Sequence, residues 1–243
     1  MMQRDTFAVL WRLAIRHPES SVKMIPMEEI FDDERTDDDL WYKDYMPNFQ
    51  FLPKDRLPSG AKGGITYTTI VLDPGIFLPW LKRNLESSGV DFKRMTLHSL
   101  SDAYHLGHDI LINATGAGPI YLDDIQDDNM ELLKGQIMII KSDYKKCFMR
   151  DDGKNYTYVI PRLDGKVILG GIRDPDIRIH RSLPERFSID LSDYDIVGHN
   201  VGIRPYRSSG MRIENEVKDG QKIVHAYGTS CIVRTPLIGT IEG

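Results

Sequence analysis

Cysteine is almost missing from this chain: Cys147 and Cys231 are the only two in 243 residues. With no C-x-x-C pair and no His/Cys cluster, a disulfide framework and a structural zinc site are not expected, and a reducing compartment is the default. Also missing is any apolar run approaching the roughly 18 residues of a membrane span. The opening MMQRDTFAVLW has neither the apolar core nor the cleavage site of a secretory leader, so none is expected. Excess positive charge is absent as well, since 31 Lys and Arg face 36 Asp and Glu for a net −5. A nucleic-acid surface normally needs a clustered basic face, so nucleic acid is not expected as a partner, and neither is a membrane. His98, His105, His108 and His180 lack metal-ligand spacing and receive no role, and no internal repeat or low-complexity stretch occurs. What remains is 41% hydrophobic and 28% charged, a soluble globular composition able to bury the core of one or two domains.

The residues that are present alternate between helical and strand periods. Arg4 to Arg16 places Phe7, Leu10, Trp11 and Ala14 at helical spacing, with Asp5 in the first turn where the macrodipole favours an anion. Val22 to Ile25 reads as a short strand, and the acidic run Phe31 to Asp44 as a solvated loop with an aromatic anchor at Trp41-Tyr42. A calcium-loop reading of that run fails for want of the Gly and the terminal Glu. A strand from Gly63 to Val71 leads through Asp73-Pro74 into a helix over Pro74 to Ser88 that closes at Gly89. Val90 to Leu97 reads as a strand, and Asp109 to Asn113 as an apolar strand running into Ala114-Thr115-Gly116-Ala117-Gly118. Six further short strands, at 135–141, 156–161, 166–170, 201–204, 211–213 and 222–227, suggest a largely antiparallel sheet against the first α/β layer.

Two stretches carry chemistry. In His199 to Arg207, HNVGIRPYR, Arg204 sits between an apolar strand and a proline. A guanidinium there needs an anionic partner, and it grips a carboxylate with two parallel hydrogen bonds. The Thr115-to-Gly118 turn follows a buried strand, where a backbone without bulky side chains permits close approach to a ligand; tight connection alone also explains such a turn. Tyr158 in YTYVIP reads equally as an edge-strand tyrosine with a wet tip or as a hydrogen-bond donor to a ligand. Arg173 reads equally as a surface cation beside Asp174 and Asp176 or as a second anion-binding group.

HNVGIRPYR, ILINATGAG, YTYVIPRLDGKVILGG and IVHAYG occur in the order, and closely resemble the motifs, of the D-amino-acid oxidase family of FAD-dependent oxidases, which includes D-aspartate oxidase. The resemblance runs from Arg4 to Gly228. It implies an α/β fold with a partial FAD-binding Rossmann-like layer (about 1–25, 90–120 and 199–243) and an antiparallel-sheet substrate domain (about 26–89 and 121–198). It also implies FAD as cofactor, with Leu97, Thr115, Gly116 and Ser230 on the cofactor side. Arg204 and Tyr158 then hold the substrate carboxylate, and Arg173 faces the side chain, as in relatives that prefer acidic D-amino acids. The implied reaction is oxidative deamination, in which hydride leaves Cα for the flavin, dioxygen becomes hydrogen peroxide, and no protein side chain acts as a chemical catalyst. A homodimer and a peroxisomal location, or otherwise a cytoplasmic one, follow from the same resemblance; Ile241-Glu242-Gly243 is not a peroxisomal address.

The chain departs from the family in three places. It has no G-x-G-x-x-G turn for the FAD pyrophosphate. The stretch between Arg173 and His199 is short, and TSCIVRTPLIGTIEG stands where a glycine-rich segment and a helix belong. Truncation at the N-terminus and divergence at the C-terminus are therefore expected, which keeps open a non-catalytic remnant that binds no flavin. The face of DILIN and the apolar stripe of the first helix are expected to be partly exposed, giving low stability or self-association.

Overall fold

The structure, a computed structural model, describes residues 2–151, 156–162, 164–170 and 194–228. In chain order the main elements are α1 (Met2–Arg16), β1 (Lys23–Phe31), β2 (Gln50–Phe51), β3 (Gly63–Val71), α2 (Pro74–Ser87) and β4 (Ile110–Asn113). Then follow β5 (Met130–Lys141), β6 (Cys147–Asp151), β7 (Tyr156–Pro161), β8 (Lys166–Gly170), β9 (Ile196–Arg207), β10 (Arg212–Lys218) and β11 (Gln221–Tyr227). The chain forms two compact units. Among the described residues, the first is drawn from the stretches up to Val90 and from Gly135 to Gly202, the second from Asp91 to Lys134 and from Ile203 to Gly228.

An eight-stranded sheet in the order β2-β3-β1-β6-β7-β8-β5-β9 organises the first unit. β1 and β3 pair antiparallel along their whole length, from Lys23 opposite Val71 to Phe31 opposite Gly63. Period-two alternation sends Ile25, Met27 and Phe31 with Ile65 and Tyr67 into one core, together with Ile137, Cys147, Tyr158, Ile160 and Ile168. A Cβ at Gly63 would lie 2.3 Å from the Phe31 ring, so glycine is what lets that ring close the end of the core. Helix α1 covers this core with Phe7, Leu10, Trp11 and Ala14, the stripe marked by helical spacing. That stripe was expected to be partly exposed: Phe7 is buried, and Leu10, Trp11 and Ala14 are half-buried against the core. Asp73 caps α2 by accepting from Gly75 N–H at 2.8 Å, and Pro74 occupies the first turn, where its missing N–H costs nothing.

The second unit centres on a three-stranded sheet, β10-β11-β4, with β11 antiparallel to β10 and parallel to β4. The β10–β11 connection is Asp219-Gly220, both at positive φ (50° and 79°), the two-residue geometry that matches strand twist. Leu100, Leu122 and Ile223 form the core beneath one face, with Leu97 and Leu111 packed against them. On the other face Ile110, Ile112, Ile213 and Val217 are exposed, in agreement with the expectation for DILIN.

Several local expectations change. Residues 91–97 form no strand; among the described residues no neighbour offers them a ladder, and local propensity alone does not make a strand. The strand β6 escaped notice because Lys145, Lys146 and Arg150 break its apolar run. The acidic segment is anchored by Tyr42, 2% exposed, whereas Trp41 lies open, because the Tyr42 hydroxyl finds a buried acceptor in Glu29 at 3.0 Å. Among the described residues no helix is long and apolar enough to cross a membrane. The thiol of Cys147 is fully buried, which pushes it up to about 12.

Glu29 is buried on β1 and accepts hydrogen bonds from both Tyr42 and Tyr67. Burial raises its carboxyl above the ordinary value, although the two hydroxyls and Arg35 pull the other way. A raised folded-state pKa means that the folded chain holds the proton more tightly than the unfolded chain. This contribution to stability is therefore lost as pH rises from the usual 4.5 through the folded-state value. E29Q removes the titration and keeps an oxygen for a tyrosine. Its melting temperature is expected to fall less steeply than that of the wild type as pH rises above 4.5; parallel curves would show that Glu29 titrates normally.

Candidate functional site

The turn Ala114 to Gly118 leaves β4 at the open end of the three-stranded sheet. Gly116 adopts φ +61°, the left-handed region that glycine tolerates, and a Cβ on it would approach Pro205 Cγ at 3.8 Å. A Cβ on Gly118 would lie 2.5 Å from Thr115 Oγ1, so the Thr115 side chain fills the space that glycine leaves. Ala114 and Thr115 themselves are exposed. The turn thus packs beside Pro205, next in the chain to Arg204, and brings Thr115, Gly116 and Arg204 into one neighbourhood.

Arg204 is half-buried on β9. Its neighbour Arg207 binds Asp127 at 2.7 Å, and Arg212 binds Glu214 and Glu216. Among the described residues, Arg204 has no carboxylate within ion-pair distance. A half-buried guanidinium in that state is electrostatically incomplete, and a carboxylate is its natural complement.

Behind the turn runs a line of polar side chains. Thr115 Oγ1 donates to Asn113 Oδ1 at 2.7 Å, and Asn113 Nδ2 meets His225 Nδ1 at 3.1 Å. His225 Nε2 meets Glu216 Oε2 at 2.8 Å, and Arg212 Nη2 donates to the same oxygen at 3.4 Å. Arg212 Nη1 also donates to the Tyr227 hydroxyl, which donates to Asp127 Oδ2, both at 2.9 Å. The strand register explains the line: Asn113 lies opposite His225 and Arg212 opposite Tyr227, on the buried face of the sheet. Burial acts to raise the Asp127 carboxyl, but hydrogen bonds from Arg207, Tyr227 and Asn129 outweigh it and bring it down to about 2. The sequence motifs pointed to His225 and Tyr227 without giving them a role. Asp127, Arg212 and Glu216 went unnoticed; the readable signal was the alternation Ile223, His225, Tyr227, which sends two polar groups inward and so demands partners.

The remaining candidates are distributed differently. Leu97 packs its side chain into the second unit's core, so only its backbone is available to a ligand. Tyr158 belongs to the first unit and is 5% exposed. Its ring lies across Gly170, the residue opposite it on β8, where a Cβ would come within 2.3 Å of Cζ. Arg173 and Ser230 lie outside the described residues.

A family model described as FAD dependent oxidoreductase matches residues 15–240. The chain belongs to that family. D-aspartate oxidase of Talaromyces thermophilus is 32% identical, over 92% of this chain and 66% of the relative. D-amino-acid oxidase of Fusarium vanettenii is 30% identical, over 78% of this chain and 60% of the relative. The chain therefore spans less than two thirds of the length of these two curated relatives. Among solved structures, glycine oxidase from Geobacillus kaustophilus superposes with a TM-score of 0.65 at 15% identity, covering 93% of this chain and 72% of that one. Glycerol-3-phosphate dehydrogenase from Bacillus halodurans, complexed with FAD, gives 0.54 at 16% identity, covering 91% and 50%. These likenesses establish a mixed α/β fold of the flavoprotein kind.

The described residues fit part of the family's FAD. The Thr115-to-Gly118 turn offers an exposed hydroxyl and a backbone relieved of side chains at two positions, which suits close approach of a flat ring system or its attached sugar alcohol. The sequence contains no G-x-G-x-x-G, the turn whose backbone holds a dinucleotide pyrophosphate.

The contact between Tyr158 and Gly170 yields a direct test. G170A drives a methyl group into a buried ring and should destabilise the fold by about 1 to 3 kcal/mol, as other overpacked cores do. A fall in the denaturant midpoint with a changed near-ultraviolet tyrosine signal is the expected result; an unchanged midpoint would mean that the ring moves aside freely.

Proposed function

We propose that this chain carries the turn that faces the flavin and the arginine that grips the substrate in an FAD-dependent oxidase of D-amino acids. The overall reaction converts a D-amino acid, water and dioxygen into a 2-oxo acid, ammonia and hydrogen peroxide. The observation that carries this reading is the half-buried Arg204, left without a carboxylate among the described residues beside the Thr115–Gly116 turn. Relatives named D-aspartate oxidase and D-amino-acid oxidase support it.

In this reading FAD, when bound, supplies the two-electron acceptor for the substrate Cα–H. Everything else is orientation. Arg204 fixes the substrate carboxylate by a bidentate contact; Tyr158, which the resemblance pairs with it, keeps its hydroxyl buried in the first unit. With its acid end held, the substrate presents its α C–H in one direction only, which lowers the entropic part of the barrier. Thr115, Gly116, the Leu97 backbone and Ser230 line the cofactor side. Where the substrate is acidic, Arg173, outside the described residues, is the second cation that this reading assigns to its side chain. A homodimer and residence in peroxisomes belong to the same reading.

The test is the visible spectrum of the purified chain with FAD, before and after anaerobic D-alanine or D-aspartate. A bound flavin band that bleaches with one of them is the expected outcome, and the better substrate decides whether Arg173 serves an acidic side chain. A chain that takes up no FAD would overturn the reading and leave a family member without the reaction. In a chain that does bleach, R204A should weaken substrate binding by about 2 to 5 kcal/mol, because a carboxylate is left unpaired. Unchanged binding would remove Arg204 from the site.

A further inference from the structure

The polar line behind the Thr115 turn is longer than packing requires, and its direction is determined. Glu216, ionised beside Arg212, accepts hydrogen bonds only, so the His225 nitrogen facing it, Nε2, must carry a proton. On the other side, Asn113 Oδ1 accepts both the Thr115 hydroxyl at 2.7 Å and the Thr115 backbone N–H at 3.4 Å. That commits the Asn113 amide nitrogen to His225, where it needs an acceptor. Nδ1 is that acceptor. The ring is thus held as a single tautomer, with its proton on Nε2 and a lone pair on Nδ1, in a site with 0% exposure.

We propose that His225 is a positioning residue that acts through Asn113 to fix the Thr115 hydroxyl for its cofactor contact; the cofactor part of this statement rests on the oxidase reading given above. An asparagine amide has two nearly isosteric orientations, and the acceptor on His225 selects one of them together with the Thr115 backbone N–H. In that orientation the single proton of the Thr115 hydroxyl is spent on Asn113, so the hydroxyl meets a ligand with lone pairs alone. Its partner on the ligand is therefore a donor, an N–H or a sugar-alcohol hydroxyl, and not a phosphate or carbonyl oxygen. With the amide reversed, the backbone N–H of Thr115 would face another donor, and the turn would lose an acceptor that its conformation uses. Arg212 and Glu216 hold the histidine, the histidine holds the asparagine, and the asparagine holds the turn.

The experiment uses the full chain, isotopically labelled, and does not begin with FAD. Two-bond proton–nitrogen correlations of the wild-type His225 ring should show Nε2 protonated and Nδ1 bare; a proton on Nδ1 overturns the proposal whatever the variants do. Three substitutions then separate positioning from bulk. H225N keeps an oxygen near the place of Nδ1, H225Q keeps a donor near the place of Nε2, and H225L keeps neither. Thr115 and Gly116 amide resonances should shift in H225L and H225Q and return toward wild type in H225N. Equal perturbation in all three would mean that the ring matters only for its volume, and would sink the proposal. A fluorescence titration with FAD supplies the cofactor arm: H225L should weaken binding about tenfold, the scale of one lost buried hydrogen bond, with H225N close to wild type. Equal weakening in H225N and H225L would overturn the cofactor part. If the wild type binds no FAD, the oxidase reading and the cofactor part fall, while the tautomer and the amide shifts still decide the link from His225 to Thr115.

Discussion

Asp127 accepts from the Arg207 guanidinium and the Tyr227 hydroxyl at once, and the second unit depends on that double acceptance. Arg207 ends β9 and Tyr227 ends β11, so one carboxylate ties the exits of two strands to the segment between Leu122 and Met130. Without it, a buried hydroxyl and a guanidinium would lose their acceptor together, which costs more than the net gain of either bond. Because the carboxyl is depressed to about 2, the tie persists down to strongly acidic conditions. It contributes fully above the ordinary carboxylate pKa and is lost only as pH falls through that depressed value. With the end of β9 fixed, Arg204, three residues earlier, acquires a fixed neighbourhood, and the Gly116 turn has a proline to rest on.

The two units meet the same physical demand in different ways. The first buries a continuous apolar surface, and in it the carboxyl of Glu29 is accommodated by two tyrosines. The second has a small apolar core and spends much of its sheet's inner face on hydrogen-bonded polar groups. A polar interior of that kind tolerates few substitutions, since each member satisfies the next. It specifies side-chain orientation more sharply than hydrocarbon packing does, a property suited to the neighbourhood of a ligand.

Much of the fold was legible because period and punctuation agree. YTYVIP and KVILG coincide with β7 and β8, Gly63 to Val71 with β3, and Asp73-Pro74 with the start of α2. The misreadings came where pairing decides. Residues 91–97 have strand composition but no ladder, and β6 has a ladder but charged residues at and beside its ends. β10 runs well beyond its apolar start because Arg212 and Glu216 reach Tyr227 and His225 on β11, partners that only the pairing of the strands reveals. The site was half legible for the same reason. Arg204, Thr115 and Gly116 belong to recognisable motifs, whereas Asp127 and Glu216 derive their meaning from contacts 80 and 9 residues away in the chain.

The buried thiol of Cys147 has a bearing on durability. Thiolates attack peroxide, and a thiol raised to about 12 in a sealed apolar setting is almost never a thiolate at neutral pH. A thiol in that state stays chemically silent toward hydrogen peroxide, the product of the reaction proposed above. In the core of the first unit, the side chain most open to oxidative wear becomes an inert space-filler.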